Sequence, residues 1–342
     1  MRAVTINSRG DEVSANIVVE HDWPMPCPAT GEVLVRTEAS ALNHLDIWVG
    51  RGLPGAADFP RISGSDGCGR IEAVGEGVNE AWIGRRVLLN AAVRHLDVNH
   101  PDVKPAEPAL HMIGETLPGT HAEYFTAPAG NVLDIGDADP EQAAAFSLSF
   151  LTSWRMLMSR ARLKADQHVL ITGIGGGVAL SCLAICKWLG CTTIVTSRHE
   201  WKLERARELG ADHVVHDTNE DWSGMVRSIT GKRGVDVCAD SIGMSVHQSC
   251  LSSLARGGTL VTCGATSGPG ATTDLVRIFW NQLSVLGSTM GDMDEFREVV
   301  ALHMSGHLQP VIDSVHTVDD APAAWQRLES GDQFGKIVLR WD

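Results

Sequence analysis

Residues 168–190 read "HVLITGIGGGVALSCLAICKWLG". An apolar strand enters, four glycines fall within five residues (Gly173, Gly175, Gly176 and Gly177), and an apolar helix leaves. Glycine turns the backbone sharply and puts no Cβ in the way of an approaching ligand. The helix start, at Val178, then offers free N–H groups and a partial positive charge that suit a phosphate. Ala179 stands where a third glycine is common, and it is small enough for close helix–strand packing. A glycine cluster alone would fit any tight turn. The flanking sequence decides for a dinucleotide.

Strands and helices alternate on the C-terminal side of this run: "TTIVTS" (192–197), the helix "EWKLERARELG" (200–210), then "DHVVH", "VDVCAD", "GTLVTCG" and "LSVLGS". That alternation predicts a doubly wound parallel sheet with helices on both faces, an α/β Rossmann arrangement. On the N-terminal side, "EQAAAFSLSFLTSWRMLMSRA" (141–161) has helical apolar spacing. Before it come short strands broken by glycine and proline, "MRAVTI", "GEVLVRTEAS", "CGRIEAVGEGV" and "GRRVLLN", which predict a barrel-like β domain. Residues 95–118 hold four prolines and no period, and read as an irregular lobe. Two more helices, in "DEFREVVALHMSGHL" and "DDAPAAWQRLESG", precede a last strand, "GKIVLRW". Asp320 and Pro322 suit the start of the second, and Gly331 its end.

The chain has 342 residues, enough for two domains with separate cores. Its 28 basic and 42 acidic residues leave a formal net charge of −14. Such a surface repels nucleic-acid backbones and anionic membranes, so the expected partner is a small molecule. Eight cysteines (27, 68, 182, 186, 191, 238, 250 and 263) form no CxxC pair, and several lie in apolar segments. Reduced, buried thiols in the cytoplasm are the expectation. The N-terminus has no secretory pattern, and no run approaches the length of a membrane span.

An NAD site usually carries Asp or Glu at the end of the second strand, about 20 residues past the glycine turn. Here that strand ends in Ser197 and Arg198, with Lys202 one helical turn on. Two cations and a hydroxyl suit a 2′-phosphate, so the expected cofactor is NADPH. Glu200 nearby keeps open the alternative that Arg198 and Lys202 are merely solvated.

Several further stretches, in order, carry a resemblance: "ALNHLDIWVGRG" (41–52), "GSDGCGRIEAVGEGV" (64–78), "GTHAEYF" (119–125), "AAAFSLSFLTSWRML" (143–157), "KLERARELGAD" (202–212), "FWNQLSVLGSTMG" (279–291) and "FGKIVL". With the glycine turn, they make the whole chain resemble the medium-chain dehydrogenase/reductase superfamily of zinc alcohol dehydrogenases and quinone oxidoreductases. The resemblance implies a GroES-like catalytic domain, 1–125 continued by 290–342, into which the Rossmann domain, 126–289, is inserted. It implies cofactor contacts from Asn43, Thr152, Val178, Gly264, Ser288 and Lys336, in addition to the glycines, Ser197, Arg198 and Lys202.

Zinc members of that family bind metal through a Cys, a His and a third Cys or Asp. By resemblance those positions fall on Asn43, Ser65 and, near "FLTSWRML", Leu148. An amide, a hydroxyl and an aliphatic chain do not replace thiolate and imidazole. The proton-relay positions hold Leu45 and Trp48, and residues 90–118 lack the four cysteines of a structural zinc lobe. His95, Asp97, His100, Asp102 and His111 are read there as solvated side chains rather than a replacement metal site.

The expected activity is therefore zinc-independent hydride transfer from NADPH to a quinone or an α,β-unsaturated carbonyl compound. The candidate catalytic residues are Asn43, as donor to the developing oxyanion, with Thr152, His44, Asp46 and Tyr124. Asn43 and Asp46, three residues apart, also fit a plain helix cap. The alternatives are an alcohol dehydrogenase or ketone reductase, and an NADPH-binding sensor or structural protein. The apolar strand "QLSVLGS" would leave a bare sheet edge, so a homodimer is expected.

Overall fold

The computed structural model describes residues 1–53, 58–95, 110–218 and 222–341. It comprises two compact units, Met1–Leu148 with Gly291–Asp342, and Ser149–Met290.

The first unit is built on β-sheets. Its largest sheet runs, in spatial order, Val132–Asp134, Arg86–Leu89, Asp66–Val74, Glu32–Ala41, Lys336–Arg340 and Ile312–Thr317, with Tyr124–Pro128 also paired to Glu32–Ala41. Ala3–Ile6, Ile17–Glu20 and Arg61–Ile62 make a smaller one. Alternating apolar residues of these strands meet the Ala321–Ser330 helix in a core that contains Ile6, Leu42, Ile47, Trp325, Ile337 and Leu339. The chain's last strand thus returns to the first unit. It lies antiparallel to Glu32–Ala41, with Val338 opposite Ala41, while Asp66 faces Ala41 from the other side. This register brings residues near 41, 66 and 336 together, although they are far apart in sequence. The unit extends beyond residue 125, where the sequence places its boundary, because the strands at 124–128 and 132–134 pair within its sheet.

The second unit holds a six-stranded, wholly parallel sheet in the order His213–His216, Thr192–Ser197, His168–Ile171, Val235–Asp240, Leu254–Thr262, Ser284–Gly287. Counted along the unit this is 3-2-1-4-5-6, the doubly wound order expected from the alternation. The glycine turn follows the first strand, where the order reverses, and leads into the Gly177–Leu189 helix. That helix stops at Gly190, whose φ of +82° costs glycine little. The segment read as one helix over 141–161 is α-helical over Pro140–Trp154 and then widens into a π-type turn, Arg155–Arg160.

In the lobe, Ala92–His95 pairs with Leu110–Met112, and His111 stands opposite Arg94. Asp97, His100 and Asp102, and the side chain of His95, lie outside the described residues. Among the described residues, no three His, Cys, Asp or Glu side chains are grouped so as to hold a metal ion.

Candidate active site

The His44–Gly50 helix begins where the Glu32–Ala41 strand ends, and Asp46 in its first turn ties that start to the next motif. Asp46 Oδ2 accepts the Asn43 N–H at 2.8 Å, and Oδ1 accepts the Gly64 N–H at 2.9 Å. Gly64 has a φ of +104°, and a Cβ there would lie 2.7 Å from the His121 ring, so only glycine fits. His121 Nε2 stands 3.6 Å from Asp46, while its Nδ1 meets Ser40 Oγ at 2.9 Å. Ser40 Oγ in turn accepts the Trp341 indole N–H. Burial would raise the Asp46 carboxyl, but His121 first, and then the N–H of Asn43, hold it below the usual range. Asp46 is an ionised anchor inside the fold. Its oxygens are spent on backbone, which is the helix-cap reading rather than the catalytic one.

Next to it lies a second buried group. Lys336 donates to Asn43 Oδ1 at 2.5 Å and to Asp66 Oδ2 at 2.8 Å. Asn43 donates its side-chain N–H to Asp66 Oδ2 at 2.8 Å, and Leu148 donates its backbone N–H to Asp66 Oδ1 at 2.7 Å. Ser65 Oγ turns away and donates to the Ile113 carbonyl at 2.8 Å. Two of the three positions matched to zinc ligands, 43 and 148, thus converge on a carboxylate beside an ammonium ion. These residues do not fit a zinc ion. The donor set lacks thiolate and imidazole, and a divalent cation at Asn43 would face the Lys336 charge.

His44 is half-buried with its ring edge-on to Trp48 at 5.8 Å, and burial, then Arg51, lowers its imidazole below the usual value. Tyr124 sits opposite Arg36, five residues and about 16 Å along the strand from Ala41. Thr152 belongs to the second unit, its hydroxyl directed at Met290 Sδ, 3.8 Å away. Neither Asp66 nor His121 was among the residues singled out from the sequence. Their only signal was their place in "GSDG" and "GTHAEYF".

The glycine turn and its surroundings lie in the second unit, whereas Asn43 and Lys336, two further expected cofactor contacts, belong to the first. Gly173 and Gly175 have φ of +64° and +124°, Gly176 caps the helix and Gly177 begins it. The turn is pinned to the neighbouring strand by Ile174 N–H on the Thr196 carbonyl, 2.8 Å. Lys202 folds back across the turn, and a Cβ on Gly175 would lie 2.9 Å from its Cδ and 3.4 Å from its Nζ. This cradle of bare backbone, helix start and ammonium ion fits a dinucleotide pyrophosphate. Lys202 is thereby placed at the glycine turn. Ser197 Oγ accepts the His199 N–H at 3.1 Å, whereas Arg198 is exposed. Val178, whose carbonyl accepts from Ser153, continues the helix start. Gly264 and Ser288 flank the end of the Leu254–Thr262 strand: the Gly264 carbonyl accepts from Thr262 Oγ1, and Ser288 N–H meets the Thr262 carbonyl.

Sequence reasoning missed Asp217. It follows the His213–His216 strand beside Ser197, and its N–H meets the Ser197 carbonyl at 3.1 Å. Oδ2 accepts from Thr196 Oγ1 at 2.9 Å, while among the described residues the buried Oδ1 has no partner. Burial raises this carboxyl, against the pull of Thr196 and Arg198.

Residues 29–137 match the family described as alcohol dehydrogenase GroES-like domain, and residues 177–305 the family described as zinc-binding dehydrogenase. The chain is 29% identical over 335 residues to the zinc-type alcohol dehydrogenase-like protein YogA of Leptosphaeria maculans, with 92% of each chain covered. Among solved structures, an NAD-dependent alcohol dehydrogenase superposes with a TM-score of 0.90 at 34% identity, each chain covered in full. A mycobacterial quinone oxidoreductase does so with a TM-score of 0.81 at 28% identity, also over both whole chains.

Proposed function

This chain belongs to the zinc-type alcohol dehydrogenase-like group of the medium-chain dehydrogenase/reductase superfamily, and on that premise we propose an NADPH-dependent reductase working without zinc. Membership makes it a nicotinamide-dependent oxidoreductase. The proposal adds the absence of zinc, the choice of NADPH and the class of acceptor, a quinone or an α,β-unsaturated carbonyl compound.

The observation that carries it is the Lys336 ammonium held by Asn43 and Asp66, where the resemblance puts a metal. When bound, the reduced nicotinamide supplies a hydride to the acceptor. The glycine turn and Lys202 would hold its pyrophosphate, and Arg198 would meet the 2′-phosphate. A charge-assisted hydrogen bond contributes about 1.5–3 kcal/mol, less than the several kcal/mol of Lewis-acid help from a metal. A conjugated acceptor spreads the incoming charge and needs less of that help. A plain ketone needs more. The ammonium ion does favour a second reading, a ketone reductase, because it can polarise any carbonyl oxygen.

Purified protein should contain well under one zinc per chain by elemental analysis. Its oxidation of NADPH with quinones or enones should survive prolonged chelation, and plain ketones should react more slowly in the same panel. Stoichiometric zinc, or activity lost to a chelator and restored by zinc, would refute the proposal.

We further propose a cytoplasmic homodimer. Among the described residues no helix is long and apolar enough to cross a membrane, and the eight cysteines are free. Among the described residues, no strand pairs with the outer edge of Ser284–Gly287.

A further inference from the structure

We propose that Lys336 is the catalytic group that receives the negative charge of the reacting carbonyl, with Asn43 and Asp66 as its positioning residues. This rests on the reductase reading above.

An ammonium group has three N–H donors and no acceptor. Asn43 Oδ1 takes one and Asp66 Oδ2 another. Among the described residues nothing accepts the third, although the side chain is only 4% exposed. A buried cationic donor without an acceptor costs free energy that a bound oxygen would recover. With two N–H bonds fixed by acceptors, tetrahedral geometry fixes the direction of the third.

The same contacts remove Asn43 from the donor role expected of it. Its amide N–H groups point to Asp66 at 2.8 Å and to the Ala41 carbonyl at 3.5 Å, and its oxygen faces Lys336. Asp66 accepts from Leu148, Asn43 and Lys336, so its charge is spread over three donors. Such a carboxylate holds the ammonium group in place and remains its counter-ion.

In the reaction a new C–H bond forms at the β-carbon of the acceptor as hydride arrives. The C=C π pair moves towards the carbonyl carbon, and the carbonyl π pair moves onto oxygen. That oxygen accepts the third Lys336 N–H. Lys336 keeps its proton throughout. Water then protonates the α-carbon and the carbonyl re-forms, leaving the acceptor reduced by two electrons and the nicotinamide oxidised.

The test compares wild type with Lys336→Met, Lys336→Arg and the double variant Lys336→Met with Asp66→Asn. The double variant leaves no buried unpaired carboxylate, so it guards against a simple folding failure. Two readouts are used: steady-state turnover at saturating NADPH, and binding of 4-nitrophenol to the protein with oxidised cofactor, followed by its phenolate absorption band. In wild type the probe should bind as phenolate, with its apparent pKa lowered. Both Met-containing variants should lose that preference and, at saturating NADPH, lower kcat by about 10²–10³-fold. Lys336→Arg should retain part of each. Unchanged phenolate binding in the Met variants would overturn the proposal. So would weakened NADPH binding with intact kcat, which would make Lys336 a cofactor ligand. Lys336-dependent phenolate binding without turnover of any enone or quinone would instead uphold the oxyanion site and reject the substrate class.

Discussion

At the end of the Thr192–Ser197 strand, a serine occupies the place where a carboxylate would meet the ribose hydroxyls of NADH. Its hydroxyl is already engaged with the His199 N–H, and Lys202 is drawn back over Gly175. Arg198 is left as the exposed cation at this end, with the raised Asp217 carboxyl on the neighbouring strand. Discrimination should then rest on one charge. Replacing Arg198 by Ala should raise KM for NADPH about five- to tenfold and leave KM for NADH nearly unchanged, as measured by steady-state kinetics. Equal KM values for the two cofactors in the unmodified protein would refute the NADPH proposal. The glycine turn was legible because its signal is local: a strand, four glycines and a helix within one run of sequence. Asp217 and the contacts of Lys336 with Asn43 and Asp66 were not. Each acquires its meaning from a neighbouring strand, and the neighbour of the Lys336 strand lies almost three hundred residues away in sequence.

The His44–Gly50 helix shows the same division at the scale of an element. Asn43 and Asp46, three residues apart, read as a cap, and the Asn43 N–H does close on Asp46 Oδ2. Hidden from the sequence was the second oxygen, which holds Gly64 and so joins the helix to the strand that carries Asp66. Asp46→Asn should cost about 2–4 kcal/mol of stability in urea unfolding at neutral pH, because it removes a buried charge that accepts two backbone N–H groups. The sign of the pH dependence follows from the lowered carboxyl. A group with a lower pKa in the folded chain contributes stability above its unfolded pKa, near 4, and loses that contribution as pH falls through the folded value. Wild type should therefore lose stability between about pH 4 and the folded value, and Asp46→Asn should show a shallower loss there. Parallel stability curves for the two proteins across acid pH would rule out this account of Asp46. The π-type turn at Arg155–Arg160 had no sequence signal, since one extra residue in a helical turn leaves the apolar spacing nearly unchanged.

For the whole molecule, the strand–helix alternation specified the doubly wound parallel sheet, and the edge at Ser284–Gly287 followed from the last strand of the series. The surface beside that edge was not foreseen. The Leu275–Asn281 helix just before it exposes Leu275, Val276, Phe279 and Trp280 by 70, 61, 65 and 68%. From sequence alone, "LVRIFW" reads equally well as core, because an apolar run does not say which side is covered. Four large apolar side chains at one site, next to unpaired N–H and C=O groups, form the kind of patch that a single soluble chain seldom leaves uncovered. A second copy related by a two-fold axis would cover it without leaving a new edge exposed, because the same strand and the same patch would be present on both partners. Light scattering at micromolar concentration should thus report about twice the chain mass of 36.7 kDa. Trp280→Glu combined with Val285→Lys places charge in both the patch and the edge strand, where Val285 is 42% exposed. That variant should run as a monomer and keep its circular dichroism, since neither side chain is buried. A monomeric wild type, or a dimer that survives both charges, would show that copies of this chain associate elsewhere or not at all.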